Sequence, residues 1–228
     1  MRVAAIQTTP RPGLDANAVD HARLIGEAGA RVCVFPELSL TGYRLDPGAA
    51  LTEDDPRWSP IREACAAHDA FALVGAPLST PAGTLIATVV IGPDGDTLGH
   101  YGKRHLHGPE SDLFTPGGHH LLLEVDGLLL GLAICYDAAV PAHADEVSAG
   151  GADVYVVSAL YATGAEGRIA QQMGRAASLG LWVVMAQFCG PTGGYDACGG
   201  SGVWRPGGEV DVRLGREPGN ARATPARP

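Results

Sequence analysis

Three stretches far apart in the chain each carry one ionisable residue of a type that covalent catalysis uses. They are Glu37 in Phe35-Pro36-Glu37-Leu38-Ser39, Lys103 in Tyr101-Gly102-Lys103-Arg104-His105-Leu106, and Cys135 in Gly131-Leu132-Ala133-Ile134-Cys135-Tyr136-Asp137. A carboxylate can take a proton, a thiol can attack carbon, and an ammonium can hold the charge that develops on a substrate oxygen. Brought together they suit cleavage of an amide or a related carbon–nitrogen bond. Glu37 and Cys135 follow apolar, β-prone runs and Lys103 a short polar one, so each can stand at a strand end. A helical pattern begins soon after Cys135, and backbone N–H groups oriented at such a junction favour a thiolate.

Each residue also has a plain reading when taken singly. Cys135 can be a buried structural cysteine, Glu37 a solvated carboxylate, and Lys103, beside Arg104, His105 and His107, reads as part of a solvated loop. Cys33, inside an apolar run, reads as structural, and Cys189 and Cys198 as exposed thiols in Gly-rich loops. Five of the eight histidines lie between His100 and His120, which raises a metal site as a rival. Their spacing does not place ligands on one helical face, and no CxxC accompanies them. No GxGxxG, GxxxxGK[ST] or GxSxG is present, so dinucleotide, nucleoside triphosphate and serine-hydrolase chemistry have no foothold.

The elements that must position these residues follow from hydrophobic patterning. Val3 to Gln7 and Arg31 to Phe35 read as strands, separated by a helix that Asp15 can cap and that presents Ala18, Ala22, Ile25 and Gly29 on one face. A helix over 60–68 and a strand over 71–75 come next. Gly92-Pro93-Asp94-Gly95-Asp96 joins strands over 85–91 and 97–101 in a hairpin, and Asp126-Gly127 joins strands over 120–125 and 128–134. Helices over 142–149 and 167–179 alternate with strands over 153–158 and 181–187, and a last hairpin spans 199–212. Alternating strands and helices with intervening hairpins predict a layered α/β body, two central sheets with helices outside. The chain reads as one domain over 1–214, followed by an Arg-, Ala- and Pro-rich stretch over 215–228 read as disordered.

Composition narrows the setting. The 228 residues are 46% hydrophobic and 18% charged, sufficient for one medium domain with a real core. A formal net charge of −9 argues against a nucleic-acid partner. No apolar run is long enough to span a membrane. Met1 to Ile6 enters a strand directly, without the charged start and cleavage site of a secretory leader. Five cysteines at irregular intervals read as reduced thiols in a cytoplasm.

Taken in order, the segments resemble the nitrilase superfamily of carbon–nitrogen hydrolases over residues 1–214. The resemblance rests on Pro36-Glu37 with Thr41-Gly42-Tyr43, on Tyr101-Gly102-Lys103 with His105-Leu106, and on Gly131 to Asp137. Glu110 with Phe114 and Pro116-Gly117, Gly151-Ala152-Asp153, Arg175-Ala176, Gly200-Ser201 and Pro206-Gly207-Gly208-Glu209 extend it. It implies a four-layer α–β–β–α sandwich, no cofactor or metal, and association as homodimers or larger assemblies. It also implies Glu37 as general base, Lys103 as oxyanion stabiliser, Cys135 as nucleophile, Glu110 as a supporting carboxylate, and the Tyr136 N–H as a second oxyanion donor. Cys135-Tyr136-Asp137 is more similar to the amidase branches than to the true nitrilases, so a small linear amide is the expected substrate. Nitrile hydrolysis, acyl transfer and a non-catalytic ligand-binding role are the alternatives.

Tyr43, Tyr161, Arg168 and Phe188 are the candidates for lining the substrate pocket. Three departures from the family's pattern stand out. Ala138-Ala139-Val140-Pro141-Ala142-His143 replaces an aromatic-Pro-Glu segment with its Arg, Gln187 stands where Asn is common, and the C-terminal stretch replaces a further strand and tail that reach a partner subunit.

Overall fold

Apolar runs bracketed by Gly, Pro and Asp form two six-stranded sheets in the computed structural model, which describes residues 1–227. The first half of the chain contributes β1 (Val3–Gln7), α1 (Leu14–Ala28), β2 (Val32–Val34), α2 (Ser59–His68), β3 (Phe71–Thr80), β4 (Gly83–Ile91) and β5 (Thr97–Gly102). After the single-turn α3 (Glu110–Leu113) come β6 (Leu122–Val125), β7 (Leu128–Ile134), a 3₁₀ turn over Cys135–Ala139 and α4 (Pro141–Ala149). Then follow β8 (Val154–Ala159), α5 (Glu166–Ser178) and β9 (Trp182–Gln187). The chain closes with β10 (Cys189–Thr192), β11 (Tyr195–Cys198), β12 (Gly202–Trp204), β13 (Val210–Arg213) and β14 (Gly219–Ala223).

The first sheet has the order β14-β1-β2-β3-β4-β5 and the second β13-β12-β9-β8-β7-β6. In each, the three central strands are parallel and the flanking ones antiparallel. Parallel neighbours need crossover connections, and α1, α2, α4 and α5 supply them. Side chains alternate along each strand, so Val3 and Ala5 face the core between the sheets while Ala4 and Ile6 face α1 and α2. Leu130, Leu132 and Ile134 meet the first sheet in that central core, and Tyr155, Val157 and Met185 pack outward against α4 and α5. The result is a four-layer α–β–β–α sandwich. Among the described residues no helix is long and apolar enough to cross a membrane.

Three local expectations are corrected. The stretch from Gly215 is not a disordered tail: β14 pairs antiparallel with β1 from Val3↔Ala223 to Gln7↔Gly219. Without it β1 would present an unpaired edge, and Ala221 and Ala223 are small enough to close the inter-sheet core. Beyond it the Trp182 indole N–H donates to the Ala226 carbonyl at 3.0 Å, while Pro228 lies outside the described residues. Asp15 sits inside the first turn of α1, where it favours the helix N-terminus by charge, but the cap is Gly13 and no side chain bonds there. Cys189 and Cys198 are not exposed in loops. They face each other across the β10–β11 hairpin and are both buried.

Candidate active site

Glu37 is turned inward by a close approach between backbones. The Phe35 N–H donates to the Leu73 carbonyl at 2.9 Å, continuing the sheet one residue past β2, and the Leu40 N–H then reaches the Gly75 carbonyl at 2.9 Å. Between them the chain turns over β3 with Leu38 at φ +52°. A Cβ at Gly75 would lie 2.2 Å from the Pro36 oxygen and 2.5 Å from the Leu38 nitrogen. Only glycine lets the turn lie this close to the sheet, and the Glu37 side chain is buried as a result.

Lys103 follows β5, where its N–H donates to the Ile86 carbonyl at 2.8 Å and its own carbonyl accepts from Gly117 at 2.8 Å. Its side chain is 0% exposed. The ammonium donates to Glu37 Oε1 at 2.7 Å and to Glu110 Oε1 at 2.8 Å. Glu110, on α3, also accepts from the Tyr43 hydroxyl at 2.7 Å and from the His107 N–H at 2.8 Å. A buried cation needs such partners, since desolvating it alone costs several kcal/mol. Burial opposes the Lys103 charge, but the Glu37 and Glu110 carboxylates outweigh it and hold the ammonium above the usual lysine range.

Cys135 follows β7 and opens the 3₁₀ turn with φ at +45°, a left-handed conformation uncommon for a residue with a Cβ. Backbone held there requires support from its surroundings, and Asp137 gives it. The buried Asp137 carboxylate accepts from the N–H of Ile134 at 3.0 Å, the N–H of His105 at 2.9 Å and the hydroxyl of Tyr101 at 2.7 Å. His105 Nδ1 adds a fourth contact at 2.8 Å. The turn that carries Cys135 is thus tied to the segment that carries Lys103, although the two belong to different sheets.

Electrostatics set Glu37 and Cys135 apart. Burial pushes the Glu37 carboxyl up to about 7, against the pull of Lys103. Its Oε2 makes no hydrogen bond among the described residues, and the Cys135 thiol acts on the same carboxylate. Burial, with the Glu37 charge beside it, pushes the Cys135 thiol up to about 12. The arrangement sets a protonated thiol and a fixed cation on one space, and the base near neutrality, Glu37, is bonded to that cation without itself lining the space.

That space is a cavity of about 180 Å³ whose walls include Lys103, Glu110 and Cys135. Of the candidate lining residues, Tyr43, Tyr161 and Arg168 do line it, as does Tyr136, which was named for its backbone N–H. Phe188 does not: it packs in the core between the sheets. His105 and His107 diverge, His105 toward Asp137 and His107 onto the Tyr136 ring at 4.6 Å. Leu160, Ala162, Gln172 and Tyr195 also line the cavity and were not singled out in the sequence, and Ala139 was marked only as part of a departure. Gln172 lies one helical turn beyond Arg168 on α5, Tyr195 stands at the Gly193-Gly194 turn of the β10–β11 hairpin, and Ala139 occupies the altered segment after Asp137. The i,i+4 spacing and the Gly-Gly turn were the available signals. Gln187 holds the wall from behind, its Oε1 accepting from the Tyr161 N–H at 2.8 Å.

The profile of the family described as Carbon-nitrogen hydrolase matches residues 2–221, and this chain belongs to that family. Among curated proteins, the "Hydrolase in pqqF 5'region" of Pseudomonas protegens is 31% identical over 221 residues, covering 91% of this chain and 76% of that one. The "Nitrilase" of Pyrococcus abyssi is 30% identical over 168 residues, 68% of this chain and 63% of that one. Among solved structures, a cysteine-to-alanine mutant of the amidase from Nesterenkonia sp. AN1 in complex with butyramide matches at 30% identity. Its TM-score is 0.87, over 99% of this chain and 91% of that one. Another mutant of that amidase, with acrylamide joined by Michael addition to its active-site cysteine, matches at 30% identity and a TM-score of 0.86, over 98% and 92% of the two chains.

Proposed function

We propose that this protein is an amidase that hydrolyses the C–N bond of a small linear amide through a thioester on Cys135. Glu37 takes the thiol proton as sulfur attacks the carbonyl carbon. With the thiol held so far above the base, no thiolate waits in the resting site, and proton transfer accompanies C–S bond formation. The transfer also removes the Glu37 charge, so the Lys103 ammonium, left with Glu110, is released to face the new oxyanion. The Tyr136 N–H is the second donor. It lies in the first turn of the 3₁₀ segment, where N–H groups lack intrahelical acceptors. The C–N bond then breaks, the amine or ammonia leaves with the proton from Glu37, and Glu37 activates the water that cleaves the thioester. Glu110 positions Lys103.

The observation that carries this reading is the wholly buried Lys103 bonded to both Glu37 and Glu110 beside Cys135. The cavity supports a small substrate, being close in size to engineered cavities of about 150 Å³ that take up benzene. The amides bound to the Nesterenkonia amidase support the substrate class. Intact-protein mass spectrometry during turnover of butyramide tests it. A mass increase equal to the acyl group, present in the wild type and absent from Cys135→Ala, is expected. Ammonia release without any such adduct, or undiminished release by Cys135→Ala, refutes the mechanism.

A further inference from the structure

The wall of the cavity on α5 differs in charge from the rest. Lys103 is matched by two carboxylates, whereas Arg168, which lines the same cavity, forms no ion pair or side-chain hydrogen bond among the described residues. Gln172 lies four residues on, so both side chains leave the same face of α5. The Tyr161 hydroxyl donates to Gln172 Oε1, which leaves the Gln172 amide N–H groups as donors. Asp196, the acidic neighbour of Tyr195, is already engaged by Arg216 at 2.7 Å and Thr163 at 2.8 Å. Glu166 and Arg168, in the same helical turn, are both exposed, but only Arg168 lines the cavity. This wall therefore offers a guanidinium and amide donors with no acidic group to satisfy them. Such a surface is complementary to a carboxylate and repels an ammonium group.

We propose that Arg168, with Gln172 beside it, receives a carboxylate at the far end of the substrate, so that the preferred substrates are monoamides of short dicarboxylic acids. The inference deepens the amidase reading and rests on it for the position of the scissile amide. Arg168 acts by selecting the substrate and takes no part in the bond changes at Cys135.

Calorimetric titration of the Cys135→Ala protein tests the site without turnover. The probes are glutaric acid monoamide and valeramide, which has the same chain length but a methyl group where the monoamide has its carboxylate. The monoamide should bind at least about tenfold more tightly, the scale of one charge-assisted contact, and Arg168→Gln on the same background should remove most of that preference. The Arg168 side chain makes no hydrogen bond or ion pair among the described residues and is exposed, so the variant should keep its fold, and circular dichroism checks this. Equal affinities, or a preference that survives in Arg168→Gln, overturn the inference. Hydrolysis by the protein with Cys135 intact is read separately. If the preference is present but neither amide is cleaved, the amidase reading falls and the anion site stands. If valeramide is cleaved and the monoamide gains nothing, the anion site falls alone. If neither amide binds nor is cleaved, both fall.

Discussion

The Tyr101 hydroxyl donates to Asp137 Oδ2 at 2.7 Å and so joins the strand that leads to Lys103 with the turn that carries Cys135. That hydroxyl has one proton, which the carboxylate takes, so the neighbouring His143 Nε2 at 2.8 Å must donate to the Tyr101 oxygen. His143 Nδ1 is then an acceptor for the Tyr155 hydroxyl, also at 2.8 Å. The departure from the family's pattern at Ala142-His143 thus supplies a neutral imidazole that completes a buried chain of hydrogen bonds.

Asp137→Asn should damage both stability and catalysis. An amide has one acceptor oxygen, and either orientation sets its NH₂ against groups that are themselves donors. Each bond lost to a charged acceptor is worth about 1.5–3 kcal/mol, and for a domain of this size 1 kcal/mol is roughly 2–4 °C in Tm. We expect a lower Tm together with at least a tenfold fall in kcat as the Cys135 turn relaxes. Thermal denaturation and steady-state rates check it, and wild-type values for both would show that the turn holds without Asp137.

Stability should weaken as the pH falls from 6.5 towards 4. Burial lowers His143 to about 4, and His21 likewise. Above pH 6.5 both are neutral folded and unfolded, and their contribution is fully present. Below it the unfolded chain binds protons that the native state refuses, at about 1.4 kcal/mol per pH unit for each histidine. Glu37 works in the opposite sense. Its raised folded value of about 7 makes its contribution largest below its ordinary range near 4.5 and lost as the pH rises through 7. Urea unfolding of His143→Gln across this range should show a slope shallower by about one proton. An unchanged slope would mean that His143 is not held neutral.

Activity should rise with pH through the range near 7, because the base form of Glu37 is the deprotonated one and burial raises its carboxyl to about 7. The apparent value in kcat/KM belongs to the coupled Glu37–Lys103–Glu110 group rather than to one residue. Glu37→Gln should lose about 10²–10⁴ of the rate along with this acid limb. A variant that kept the limb would place the titrating group elsewhere.

Gly75→Ala should disable the site from a residue that never touches substrate. Its Cβ would strike Pro36 and Leu38 backbone atoms, which have no flexible side chain to move aside. Overpacking of this kind costs about 1–3 kcal/mol and lifts the Glu37 turn off β3. The expected result is a folded protein of lower Tm with kcat reduced at least tenfold. Full activity in a structure that keeps the turn in place would contradict this account.

Local chemistry made much of the fold readable from the sequence. Asp126-Gly127 and the Pro93-Asp94-Gly95 turn fix hairpins within a few residues, and the runs into Phe35 and Ile134 need only their own hydrophobicity to be strands. The order of Glu37, Lys103 and Cys135, each just past a strand, was legible for the same reason. Burial of Lys103 was not: its neighbours Arg104 and His105 give the stretch a solvated look, and Glu37 and Glu110 reach it only after the sheets have packed.

The chain by itself therefore determined which reactive groups are present and which short segments carry them, since propensity and turn geometry act over a few residues. Tertiary structure alone decided their electrostatic state and their company. The raised Glu37 comes from burial, the link from Asp137 to Tyr101 joins two sheets, and Arg168 meets the cavity only through the placement of α5. β14 finds β1 across more than two hundred residues, which no local pattern announces. Desolvation and long-range pairing are properties of the packed whole, and a linear pattern encodes them only through the fold it produces.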